Sequence, residues 1–200
     1  PGFESADVVA LDLVAPTRIM AAPERASFFN HVIDRLQAMP GVAAAGLVTR
    51  LPLRDGGWQG TVTIEDRTDL RDGREPNALY RPISPGYFPA MGITIVEGRG
   101  FTASDASTRP AVAIVSASFA TSMWPGRSPI GRRLQHAFRD GAQWVTVVGV
   151  AEETRMTRMT GDNPLWSTML TPVMSGSVPA WSKRCGPLQL EPHGPVNVPS

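Results

Sequence analysis

Residues 80–102 read YRPISPGYFPAMGITIVEGRGFT, and the class of the whole chain turns on how that run is divided. Its opening belongs to residues 78–83, short and β-prone, and predicts a strand that stops where Pro85-Gly86 turns the chain. Residues 85–92 leave room for a single helical turn, with Tyr87 and Phe88 as large amphipathic anchors that pin it onto a sheet. Residues 93–96 predict a strand again, running into Gly98-Arg99-Gly100-Phe101. Strand, turn and strand in quick succession is the texture of an α+β chain.

Upstream, residues 7–14 alternate valine and leucine with aspartate and alanine and predict a strand buried on at least one face, stopped by Pro16. Pro23 opens a helix, with Glu24 in the first turn where the positive end of the helix dipole favours it. Phe28, Phe29, Val32, Ile33, Leu36 and Met39 recur at helical spacing, while Arg25, Asn30, Asp34 and Arg35 take the wet side. Pro40-Gly41 ends the helix, and residues 42–49 predict a second strand, so this part reads as a strand-helix-strand unit. Residues 55–60 form a loop, 61–64 a short alternating strand and 66–77 a charged loop.

Downstream, residues 111–115 predict a buried strand and 116–124 a short helix capped by Ser116 and closed by Pro125-Gly126. Residues 131–135 and 144–150 are two more strand candidates, joined by a polar turn at Arg139-Asp140-Gly141. Residues 175–200 are broken by Pro179, Pro187, Pro192, Pro195 and Pro199, and predict a disordered or frameshifted tail.

Composition removes several classes of function. A net charge of +1 argues against a nucleic-acid binder, which carries a basic stripe. Cys185 is the single cysteine, so no internal disulfide and no multi-cysteine metal knuckle can form. Lys183 is the single lysine and is followed by Arg184, whereas a P-loop needs Lys followed by Ser or Thr. The uncharged run 163–182 is long enough for a membrane span, but its prolines, serines and threonines make it too polar and too broken. The start Pro1-Gly2-Phe3-Glu4 shows no secretory leader and no methionine, and reads as a piece cut from a longer protein.

Few residues suggest chemistry. Gly98-Arg99-Gly100-Phe101-Thr102-Ala103 matches a dinucleotide fingerprint, but residues 102–110 leave no room for the helix whose N-terminus must hold the pyrophosphate. Gly126-Arg127-Ser128-Pro129-Ile130-Gly131 has the wrong spacing for a nucleophile elbow and reads as a turn. His31, His136 and His193 show no metal-ligand spacing, and Glu152-Glu153 and Asp66/Asp69 read as solvated faces. Arg127, Arg132 and Arg133 form the densest basic cluster, able to face lipid headgroups or an acidic partner and equally able to guard a strand edge.

The run quoted above, together with Ala113-Ile114-Val115-Ser116, Phe119 to Met123, Trp124-Pro125-Gly126, Pro129-Ile130-Gly131-Arg132 and Val147-Val148-Gly149-Val150, resembles the MacB-like periplasmic core domain of ABC-transporter permeases. The likeness runs over roughly residues 1–173 and is nearest to the duplicated orphan permeases of bacteria. It implies a porter-like βαβ subdomain plus a mixed α/β inserted subdomain. Residues 1–52 would be the first half of the porter-like part, 53–143 the insertion, 144–174 the return strands, and 175–200 a tail unlike the family. The signature residues would be Tyr87, Phe88, Gly92, Gly98, Arg99, Phe101, Trp124, Pro125, Gly131 and Gly149, all read as scaffold.

The resemblance further implies a non-catalytic domain on the extracytoplasmic face of the bacterial inner membrane, in the periplasm, coupling cytoplasmic ATP hydrolysis to export or mechanical work. Its partners would be the transmembrane helices of the permease, an ABC ATPase subunit and a periplasmic protein. No cofactor, metal or nucleic acid is expected. The rival readings are a soluble solute-binding module, which needs a closed cleft between two lobes, and a stand-alone hydrolase. The latter needs His31, His136 and Gly98-Arg99-Gly100 to converge on one pocket.

Overall fold

In the computed structural model, which describes residues 7–13, 22–51, 58–70, 73–106, 111–138, 141–153 and 167–172, seven strands between 58 and 172 pair into one mixed sheet. Its strands are β1 (Trp58–Ile64), β2 (Asn77–Ile83), β3 (Ile95–Gly98), β4 (Ala111–Ser116), β5 (Arg133–Phe138), β6 (Gly141–Ala151) and β7 (Ser167–Pro172). The order is β3-β6-β4-β7-β2-β1-β5, and β5 pairs in turn with β6, so six strands close a circuit and β3 is an addition to it. Closure leaves little free edge for unwanted pairing. The pairs β2 with β7 and β4 with β6 are parallel, and the others are antiparallel.

The helices are α1 (Ala22–Gln37), the single turn α2 (Tyr87–Ala90) and α3 (Ala117–Met123). Ser116 caps α3, its hydroxyl oxygen accepting from the Phe119 N–H at 3.4 Å. The α+β class read from the sequence is the class of the structure.

Two cores lie on opposite faces of β4, because alternate side chains of a strand point to opposite sides. Ala113 and Val115 face a core shared by Val62, Ile64, Tyr80, Leu134, Val145 and Val147, which α3 covers with Phe119, Met123 and Trp124. Val112 and Ile114 face the other, with Ile83, Tyr87, Phe88, Ile93, Phe101 and Ala151. Burial on both faces explains why β2 and β4 read as near-continuous apolar runs.

Three expectations need correction. Residues 8–13 form no strand, with Val9 82% and Leu11 59% exposed, so their apolar pattern is not matched by burial. Residues 42–49 contribute one isolated bridge, Val48 to Ile83, in place of a strand. Of the strand-helix-strand unit, α1 is therefore the part that forms. The third correction is register: β3 starts at Ile95, not Ile93, and β5 runs to Phe138. Residues 139–140 of the expected turn, and the tail at 175–200, lie outside the described residues.

Candidate functional site

Most signature positions gather where β3 crosses β6. Gly98 has φ +73°, and a Cβ there would stand 2.3 Å from the Val148 carbonyl oxygen. A Cβ on Gly149 would stand 2.3 Å from the Arg99 carbonyl oxygen. The two backbones therefore touch at a distance only glycine permits. The Arg99 N–H fixes the crossing by donating to the Val148 carbonyl at 2.9 Å.

Beyond the crossing, Arg99 donates both guanidinium arms to Asp105, at 2.7 and 2.8 Å. The same carboxylate accepts from the Thr102 N–H at 2.7 Å and the Thr102 hydroxyl at 2.9 Å. The hydrogen bond from Arg99, with those from Thr102, holds the Asp105 carboxyl down to about 2. Phe101 then enters the second core, its ring 6.1 Å from Phe88, itself 6.0 Å from Tyr87. Gly92 ends the turn after α2, with the Gly92 N–H donating to the Pro89 carbonyl at 3.3 Å. So Tyr87, Phe88, Gly92, Gly98, Arg99, Phe101 and Gly149 serve one crossing and the aromatic cluster behind it.

Trp124, Pro125 and Gly131 belong to a second group at the end of α3. Trp124 is buried and packs edge-on to Phe119 at 6.0 Å, while its indole N–H donates to Asp66 at 2.9 Å. Asp66 also pairs with Arg132 and lies 3.7 Å from Arg127. Burial works to raise its carboxyl, but the Trp124 hydrogen bond and the arginines outweigh burial and hold it below the usual carboxylate range. Next along, Arg67 donates to the Met123 carbonyl at 2.6 Å, satisfying a backbone group that the end of α3 leaves open. Pro125 is exposed, and the Gly131 N–H donates to the Val147 carbonyl at 2.8 Å. Arg133 pairs with Glu65 at 2.9 Å and lies over the Trp144 ring. The basic cluster is thus knit to Glu65 and Asp66 of the neighbouring loop.

Between β3 and α3 lies an open groove of about 470 Å³, lined among others by Val96, Glu97, Ala117, Thr121, Arg127 and Pro129. Glu97 accepts a hydrogen bond from the Ser128 hydroxyl, so its carboxylate is engaged in holding the loop that follows α3. The two described histidines sit in different settings. His31 is exposed on α1, whereas His136 is buried on β5 with its ring 5.3 Å from Tyr80, and burial pushes it down to about 4. Neither of them lines the groove. Among the described residues no group of three or more His, Cys, Asp or Glu side chains could hold a metal ion, and no helix is long and apolar enough to cross a membrane.

Sequence reasoning passed over Asp105 and Arg67, and read Asp66 as part of a solvated face, where it instead accepts from Trp124 and pairs with Arg132. For Asp105 a signal existed: Thr102-x-x-Asp105 has the spacing of a capping box, and the Thr102 N–H bond to Asp105 is half of one. For the Asp66–Trp124 and Arg67–Met123 contacts there was none, since those partners lie more than fifty positions away.

No curated protein matches the chain. Among solved structures, the periplasmic region of MacB from Actinobacillus actinomycetemcomitans is 16% identical with a TM-score of 0.44, covering 72% of this chain and 55% of its own. The extracellular domain of the noncanonic ABC-type transporter YknZ from Gram-positive bacteria is 20% identical with a TM-score of 0.47, covering 72% of this chain and 61% of its own. The chain thus spans less than two thirds of either solved structure. The sequence profile of one family, by contrast, runs over residues 3–181, nearly end to end. This chain belongs to the family of the MacB-like periplasmic core domain.

Proposed function

We propose that this chain is the extracytoplasmic domain of an ABC-type permease, and that it couples ATP hydrolysis in the cytoplasm to export or mechanical work outside the membrane. The observation that carries the reading is the family match over residues 3–181. In support, the well-placed polar groups hold pieces of backbone together: Asp105 by Arg99 and Thr102, Met123 by Arg67. That pattern suits a body that transmits motion, so we read the domain as non-catalytic and assign it no cofactor.

Under this reading residues 1–52 are the first half of a porter-like subdomain, 53–143 an insertion and 144–174 the return. Strands β6 and β7 share a sheet with β1 and β2, so the boundary at 144 runs within one sheet. The partners are the transmembrane helices of the permease, an ABC ATPase subunit and a periplasmic protein.

The test is hydrogen exchange on the full-length gene product reconstituted with its ATPase, compared between the nucleotide-free and vanadate-trapped states. Exchange in residues 22–51 and 77–98 is expected to differ between the two. Identical exchange overturns the coupling, and a full-length gene with no flanking transmembrane segment gives first place to a soluble solute-binding module.

A further inference from the structure

Residues 45–50 run beside residues 81–87 and meet them at every step. A Cβ on Gly46 would stand 2.5 Å from Tyr87 Cα, so the two backbones are in contact there. The Leu47 N–H donates to Ser84 Oγ at 2.8 Å, and the Ser84 N–H donates to the Leu47 carbonyl at 2.9 Å. Val48 bridges Ile83. The Thr49 N–H donates to the Pro82 carbonyl at 3.2 Å. At the far end the fully buried Arg81 guanidinium donates to the Arg50 carbonyl.

What this seam joins is unequal. On one side β2 is gripped by β1 and β7 in the strand circuit. On the other stands α1, whose backbone among the described residues approaches no strand or other helix closely along its length. α1 reaches the seam through the turn at 38–42 and through Gln37 Nε2, which donates to the Ala45 carbonyl at 3.5 Å. A helix of 16 residues is marginal in water without packing, so its stability depends on what it is tied to.

We propose that the pairing of residues 45–50 with 81–87 is a latch that joins the α1 arm to the strand circuit and opens as one unit. Its steps are cooperative because each bond sets the approach of the next, and the Gly46 contact leaves no slack in between. The use of the latch rests on the coupling reading: motion delivered to α1 reaches the sheet through β2. Its existence does not.

The test is native-state hydrogen exchange on the 200-residue chain, comparing wild type with Gly46→Ala and Ser84→Ala. In Gly46→Ala the added methyl forces the backbones apart. The amides of Leu47, Thr49, Ser84 and α1 are then expected to exchange about tenfold faster together, while β5 and β6 keep their rates. Ser84→Ala removes the hydroxyl without adding bulk and is expected to give the same pattern at about threefold. If Gly46→Ala fails to fold, Ser84→Ala decides. Retained protection of α1 after the seam amides have opened overturns the latch. So does an equal loss across β5 and β6, which makes the seam part of the core. The readout involves no transport, so a failed latch and a failed coupling are told apart.

Discussion

The strand circuit and the N-terminal arm carry equally clear apolar patterns and meet opposite fates. In the circuit, Val62, Ile64, Ala113, Ile114, Leu134 and Val147 are wholly buried. In the arm, Val9 and Leu11 stand mostly in solvent, and the apolar stripe of α1 is only half-buried. Periodicity states which face needs covering, not what covers it. Inside the circuit each strand finds two neighbours, so pattern and burial agree.

The comparison breaks first at Trp124, if it breaks at all. Trp124→Ala removes the largest buried side chain of the first core together with its bond to Asp66, and is expected to cost about 3–5 kcal/mol in denaturant unfolding. A loss near zero would mean that the circuit, like the arm, is not held by its core.

A smaller effect comes from His136. Its folded value is depressed, so its contribution to stability is full above its ordinary value near 6.5 and is lost as the pH falls toward 4. Between those limits the wild type is expected to lose roughly 3 kcal/mol that His136→Gln does not lose, read as a flattened stability-pH curve.

Asp105 sharpens the picture at lower pH. Its carboxyl is also depressed, so its contribution is present above 3.8 and disappears as the pH falls through about 2. Asp105→Asn is expected to cost roughly 2 kcal/mol at neutral pH and almost nothing at the acid end, measured by the same denaturation series. The smallest effect belongs to the arm: Val9→Ser is expected to change stability by less than about 0.5 kcal/mol, and a larger loss would show that the arm is covered after all.

What could be read from the sequence was local. The helical turn at 85–92, the cap at Ser116 and the stop at Pro40-Gly41 follow from a few neighbouring residues, and the structure has each of them. β7 was not singled out, because Ser167 to Pro172 has no strong alternation and owes its strand to β2 and β4 on either side. Of the other strands expected, residues 8–13 form none despite their pattern, and residues 42–49 meet β2 yet bridge it only at Val48. At the candidate site the glycines at 98 and 149 were legible as close-approach positions. The Asp66 network was not, because nothing near Asp66 in sequence announces Trp124, Arg127 or Arg132.

The position of β7 also sets a timetable. It comes last of the strands among the described residues, yet it lies between β2 and β4, made long before it. A growing polypeptide can pair β1 with β2 and β5 with β6 early, but the gap between β2 and β4 stays open until residue 172 has emerged. Such long-range closure is slow compared with hairpin formation. The sheet of this domain therefore stays incomplete while most of its strands are already made, and β2 and β4 keep open edges until β7 arrives.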